Sequence, residues 1–96
     1  MVKKIIWSNR ADADRKNIFY YWNQRNQPNR YSIKLNELFK EVLELVSKHP
    51  KIGRLTDFEN VRVKIVREYL IAYEELENEI LVLTIVSSHQ NLRPVP

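Results

Sequence analysis

The chain contains no cysteine, one glycine and one methionine among its 96 residues. Without cysteine there is neither a disulfide framework nor a cysteine-based zinc site, which fits a cytoplasmic protein. Long apolar runs are also missing. The longest, residues 80–86, is interrupted by Thr84 and falls far short of the roughly 20 residues a membrane helix needs. After Lys3 and Lys4 only three apolar residues precede Ser8, Asn9 and Arg10, so the start of the chain lacks the pattern of a signal peptide. No glycine-rich phosphate loop, Ser/His/Asp arrangement or metal-ligand spacing is present.

Apolar residues make up 44% of the chain and charged residues 29%, the balance of a globular domain rather than a disordered segment. The length suits a single domain with one core. Residues 1–68 carry fifteen Lys/Arg against eight Asp/Glu, a balance of +7, and residues 69–96 one Arg against four Glu, a balance of −3. A basic body suits an anionic partner such as nucleic acid or an acidic protein, although solubility alone also favours basic surfaces.

Residues 2–8 (VKKIIWS) read as a strand with Ile5 and Trp7 on one face. Ser8 or Asn9 is placed to cap a helix that runs to about Gln24, with Asp12 and Asp14 near its positive end. Ala11, Ile18, Tyr21 and Trp22 should share its inner face, with the stem of Arg15 between Ala11 and Ile18. Asp14 interrupts this stripe. Pro28 marks a turn. A second helix follows, with Leu35, Leu38, Phe39, Val42, Leu45 and Val46 at buried-stripe spacing, and Pro50 ends it. Helices joined so closely should form an antiparallel hairpin.

Residues 51–60, with the lone Gly53, read as a loop. Three strands then follow, at 61–66, 69–73 and 80–88, the last two joined by the acidic turn EELENE. In the first strand Val61, Val63 and Ile65 alternate with Arg62 and Lys64, and the apolar row is expected to form the floor under the helical hairpin. The last strand is apolar on both faces (Ile80, Val82 and Val86 against Leu81, Leu83 and Ile85), which suits the middle of a sheet. The expected architecture is α+β with order β-α-α-β-β-β, a helical hairpin packed on one face of a small, largely antiparallel sheet. Residues 1–92 form the domain, and residues 93–96 a short C-terminal tail.

The segments IIWSNRADADRKNIFYYW, HPKIGR, VRVKIVREYLIAYE and EILVLTIVSSHQNLRP, in this order, resemble the RelE/ParE superfamily of bacterial toxins from type II toxin–antitoxin modules. The resemblance covers nearly the whole chain. It implies a cytoplasmic toxin, without cofactor or metal, held in a hetero-oligomer by a cognate antitoxin that wraps its surface with a helix and an extended segment. RelE-like members cleave mRNA in the ribosomal A site, while ParE-like members inhibit DNA gyrase.

RNA cleavage by 2′-hydroxyl attack needs activation of that hydroxyl, cations for the developing phosphorane charge and an acid for the leaving oxygen. Arg62 and Lys64 match the alternating basic pair of the RelE pattern, and His89 matches its C-terminal Arg or His. The pattern's further arginine, three residues before the tyrosine of the next strand, is replaced by Leu70, and no tyrosine follows His89. The candidate catalytic set is thus Arg62, Lys64 and His89, and it is incomplete. The resemblance therefore leans toward the ParE branch. The alternatives are a metal-independent, ribosome-dependent endoribonuclease and an antitoxin-binding domain without toxicity.

Arg54, Arg62, Lys64 and Arg67 are the candidate target-binding residues. Each has a plainer reading: Arg62 and Lys64 as the solvated row of a sheet, His89 as a surface residue at a strand end. Trp7, Tyr21, Trp22, Tyr69 and Tyr73 fit core stripes better than base-stacking platforms, and Glu74, Glu75, Glu77 and Glu79 fit an exposed turn better than a metal cluster. The antitoxin contact is expected on exposed parts of the hairpin and at the sheet edge.

Overall fold

The computed structural model describes residues 2–25 and 30–88. In chain order these form strand β1 (Lys4–Trp7), helix α1 (Asn9–Arg25), helix α2 (Arg30–Lys48), a 3-10 turn (Pro50–Ile52), and strands β2 (Arg54–Leu55), β3 (Val61–Val66), β4 (Tyr69–Glu75) and β5 (Glu79–Ser87). The strands make one sheet in the order β1-β5-β4-β3-β2. β1 runs parallel to β5 and every other pair is antiparallel. The expected α+β architecture is present, with β2 added; two residues are too few to leave a periodic signal. The turn at Pro28 and the tail at residues 93–96 lie outside the described residues.

Ser8 caps α1 as the sequence suggests: its Oγ accepts the Ala11 amide at 3.0 Å. Ala11 is buried, and Ile18 and Trp22 pack against the core. Tyr21, expected on this face, is 46% exposed. Phe19 packs inward instead, its ring stacked on Phe39 with centroids 6.2 Å apart. Helix α1 touches both α2 and the sheet, so its buried stripe is broader than a one-sided contact requires. Arg15 bridges the stripe's gap with its guanidinium 4.4 Å from the centre of the Trp7 ring.

On α2, Leu35, Phe39 and Val46 are buried, with Leu38 and Val42 partly so. Leu45 is 41% exposed and Leu43 takes the buried place assigned to it. Ser32 and Ser47 are buried too, so the inner face of α2 is turned from the plain leucine–valine stripe toward positions with small polar side chains. Beneath the hairpin lie Tyr69, Ile71 and Tyr73 of β4, Ile80, Val82 and Ile85 of β5, and Val66 of β3.

The row Val61, Val63 and Ile65 does not face the hairpin. Arg62 pairs with Tyr73, Lys64 with Ile71 and Val66 with Tyr69. Directly paired residues share a sheet face, so the basic row lies on the helix side and the apolar row on the other.

β5 is a central strand, apolar on both faces as expected, but its alternation breaks midway. Ala72 pairs with Thr84 while the next residue, Tyr73, pairs with Val82, leaving Leu83 as an extra residue. The bulge changes the parity. Ile80 and Val82 point inward before it and Ile85 after it, while Val86, expected beside them, pairs with Leu70 on the opposite face.

Asp14, the residue that interrupts the α1 stripe, accounts for this break. Its Oδ2 accepts hydrogen bonds from the Thr84 hydroxyl and from the Ile85 amide, the latter at 3.1 Å. From the other side the Ser8 hydroxyl donates to the Leu83 carbonyl at 2.9 Å. The Leu83 carbonyl, the Thr84 hydroxyl and the Ile85 amide at the bulge are thus met by α1 or by its cap.

The acidic turn after β4 is closed by one cation. Lys3 Nζ donates to the carbonyls of Leu76 and Glu77, each at 2.7 Å, and lies 3.3 Å from Glu75. Among the described residues no group of three or more acidic or imidazole side chains is arranged to hold a metal ion, and no helix is long and apolar enough to cross a membrane.

Asp14→Ala should lower stability by roughly 2 kcal/mol, because the Ile85 amide loses a charged acceptor in a partly buried place. Asp14→Asn should recover part of the loss, since it keeps one acceptor oxygen. Denaturant titration of the three proteins checks both statements.

Candidate binding surfaces

The segment between α2 and β3 is held by a buried tyrosine. Tyr73 is fully buried, and its hydroxyl donates to the Pro50 carbonyl at 2.7 Å and accepts the Gly53 amide at 2.9 Å. Burial raises the Tyr73 pKa, against the opposing pull of the Gly53 N–H. Gly53 is required by proximity rather than by backbone angle: its φ is −73°, but a Cβ there would stand 2.4 Å from the Tyr73 hydroxyl oxygen. Arg62 completes the anchor, donating from Nη1 to the carbonyls of Lys51 at 3.2 Å and Gly53 at 2.8 Å.

The candidate cations therefore do not form a single constellation. Arg62 and Lys64 share the helix side of β3, and Arg62 is already engaged by two backbone carbonyls. Arg54 pairs with Val63 and so belongs to the opposite face. Arg67 sits in the β3–β4 turn with φ of 58°, a conformation that costs a side chain with a Cβ. Leu70 pairs with Ile65 and Val86; an arginine in its place would also fall on the face opposite Arg62. His89 lies outside the described residues.

The feature that the sequence reading missed is the open face of the sheet. Val61, Val63, Ile65, Leu70, Ala72 and Leu83 line a groove of about 710 Å³. Phe58 and Ile52, on the segments flanking β2, extend its apolar lining. Phe58 is 63% and Ile65 61% exposed. Adjacent large apolar side chains left open in this way mark an interaction surface more often than a solvated one. The signal was present in β4, where Leu70 and Ala72 alternate with Tyr69, Ile71 and Tyr73, so both rows of that strand are apolar.

At the far end of the sheet the hairpin is tied to the β3–β4 turn by aromatic hydroxyls. Trp22 Nε1 donates to the Tyr69 hydroxyl at 2.7 Å, and the Tyr31 hydroxyl donates to Glu68 at 2.6 Å. Trp22 and Tyr31 meet edge to face with centroids 4.5 Å apart. Desolvation, followed by the bond to Glu68, pushes the Tyr31 pKa up from 10.0 to about 12. Burial likewise raises that of Tyr69.

Two outcomes follow for stability. Tyr73→Phe leaves the Gly53 amide and Pro50 carbonyl without partners and should cost roughly 1–3 kcal/mol, with faster amide exchange over residues 50–55. A folded-state tyrosine pKa above the unfolded value leaves stability unchanged below pH 10 and removes it as pH rises toward the folded value of about 12. The alkaline loss of stability between these limits should therefore be smaller in Tyr31→Phe, measured by denaturation across pH 9–12 relative to each protein's value at pH 8.

Comparison with known proteins bears on what these surfaces serve. Residues 5–92 match the family described as ParE toxin of type II toxin-antitoxin system, parDE. No curated protein sequence matches the chain. Among solved structures, a chain of the chromosomal ParDE toxin–antitoxin system from P. aeruginosa superposes with a TM-score of 0.75 at 17% identity, covering 90% of this chain and 96% of that one. At that identity the likeness speaks for the fold, and the family match speaks for membership. The chain belongs to the ParE toxin family of type II toxin–antitoxin systems.

Proposed function

We propose that the protein is the toxin of a type II module, acting in the cytoplasm by binding DNA gyrase and held inactive by a cognate antitoxin. The observation that carries this reading is the ParE family match across residues 5–92. The structural likeness to a chain of a ParDE system agrees with an antitoxin as partner.

The site chemistry leans the same way. A phosphate-stabilising arginine must present free N–H groups to the developing charge. Arg62 is held by bonds from one guanidinium nitrogen to the carbonyls of Lys51 and Gly53, and Leu70 stands where the nucleases keep a second arginine. Inhibition by binding needs no such group. It needs only exposed contact surface, and Arg54 and Arg67 on β2 and the β3–β4 turn supply exposed cations for it.

Induction in a bacterial host separates the readings. A gyrase-directed toxin should produce DNA damage before any loss of mRNA, and the purified protein should inhibit supercoiling by gyrase. Ribosome-dependent cleavage of mRNA by the purified protein would overturn the proposal. So would unimpaired growth of several hosts expressing it without an antitoxin.

A further inference from the structure

The open face of the sheet is divided in charge along the direction of its strands. β3 runs from Val61 to Val66, so the β2–β3 loop and the β3–β4 turn lie at its opposite ends. The loop end carries exposed Asp57 and Glu59, and Glu74, paired with Val61, lies on the open face itself. The turn end carries exposed Arg67. Its neighbour Glu68 is drawn to the hairpin side, where it accepts the Tyr31 hydroxyl. Between the two ends Val61, Val63, Leu70 and Leu83 are half-buried and Ile65 is exposed. Phe58 is exposed at the loop end of the same groove.

A face that is acidic at one end, basic at the other and apolar between is complementary to itself. A nucleic acid, or a peptide acidic throughout, meets repulsion at the loop end; a second copy of the chain, turned end for end, does not. From this charge division and the apolar middle we propose that the open face is a self-association surface, pairing two copies of the protein face to face. The two-fold axis lies in the interface and crosses the strands near Val63, so the strands of the two copies run antiparallel. Val61 of one copy lies over Ile65 of the other, and Arg67 approaches the partner's acidic loop end. Sheets paired in this way stand about 10 Å apart with strands within roughly 30° of each other, a layer that Ile65 and Phe58 help to fill.

One contact opposes the pairing. Arg54, paired with Val63, lies beside the axis and meets its own copy at the rim. The patch is also small. Four strands about 4.8 Å apart and roughly 20 Å long cover on the order of 400 Å², below the roughly 800 Å² that each partner gives to a standard interface. The dimer is therefore weak and forms only as concentration rises. The helical hairpin lies on the other side of the sheet and stays uncovered, so the pairing is independent of any contact made there.

Sedimentation equilibrium of the full chain alone should show monomer giving way to dimer, with a dissociation constant on the order of tens of micromolar. The resonances of Phe58, Ile65 and Leu70 should shift with concentration, while those of Tyr20 and Ile33, exposed on the hairpin, should not. Arg67→Glu should weaken self-association by about tenfold or more, as should the double change Asp57→Lys with Glu59→Lys, because each brings like charges together. Mixed in equal amounts, these two variants should form a heterodimer at least as tight as the parent dimer, since each end again meets its opposite. Arg54→Ser should tighten the dimer by removing the one like-charge contact. All four positions are exposed, so thermal unfolding of the dilute variants should match that of the parent.

A full chain that stays monomeric at about 1 mM would overturn the proposal, whatever else covers the face. So would concentration-dependent shifts centred on the hairpin, failure of the mixed variants to associate, or a looser dimer in Arg54→Ser. None of these measurements involves gyrase or an antitoxin, so this proposal and the functional one fail separately.

Discussion

A single carboxylate on the inner face of a helix sets the register of the centre of the sheet. Asp14 meets the Thr84 hydroxyl and the Ile85 amide, and that contact fixes where β5 carries its extra residue. With the bulge at Leu83, the first half of β5 directs Ile80 and Val82 into the core and the second half directs Ile85. Strict alternation would have turned Thr84 inward and Ile85 out. The same contact ties α1 to β5, while the Ser8 hydroxyl ties the helix start to the bulge itself. Helix, first strand and last strand thus lock one another by a few polar bonds, around which the apolar contacts are arranged.

The parity so established decides what each face of the sheet can do. Tyr69, Ile71 and Tyr73 are consumed by the hairpin, and Tyr73 also holds the segment that precedes β2. Arg62 and Lys64 fall on this same side, where Arg62 clamps the backbone carbonyls of Lys51 and Gly53. The opposite face keeps Val61, Val63, Leu70 and Leu83 partly exposed and Ile65 largely so. Basic groups and open apolar surface meet at the edge of the sheet where β2 is short and the β3–β4 turn brings Arg67 round.

Much of this was legible from residue patterns. The helix start at Ser8, the end of α2 before Pro50, the bounds of β3 and the central place of β5 all follow from local chemistry with a clear period or a clear break. What escaped the pattern depended on contacts between distant residues. Asp14 looked like a flaw in a stripe because its partners are some seventy residues away. The two rows of β3 face opposite to what their hydropathy alone suggests, because the buried partners in β4 set the pairing. Leu43 and Leu45 exchanged roles because α2 turns its inner face toward Ser32 and Ser47. The partial set of Arg62, Lys64 and His89 could be named from order alone, but whether a guanidinium is free to act depends on a carbonyl in a loop, and no periodicity records that.

The sheet order carries a consequence for the protein's synthesis. β5, residues 79–87, lies between β1 and β4 and is made after every other described strand. Until it is present, β1 has no neighbour, Asp14 has no amide to bind, and β4 has only one side paired. Contacts of such long sequence separation are slow to form and cannot form early. A growing chain that has passed its second helix and third strand is still without a core at its centre. The sheet's surfaces come into being together, once β5 has been made, rather than one element at a time. A partner that recognises the folded sheet thus meets it as a finished object.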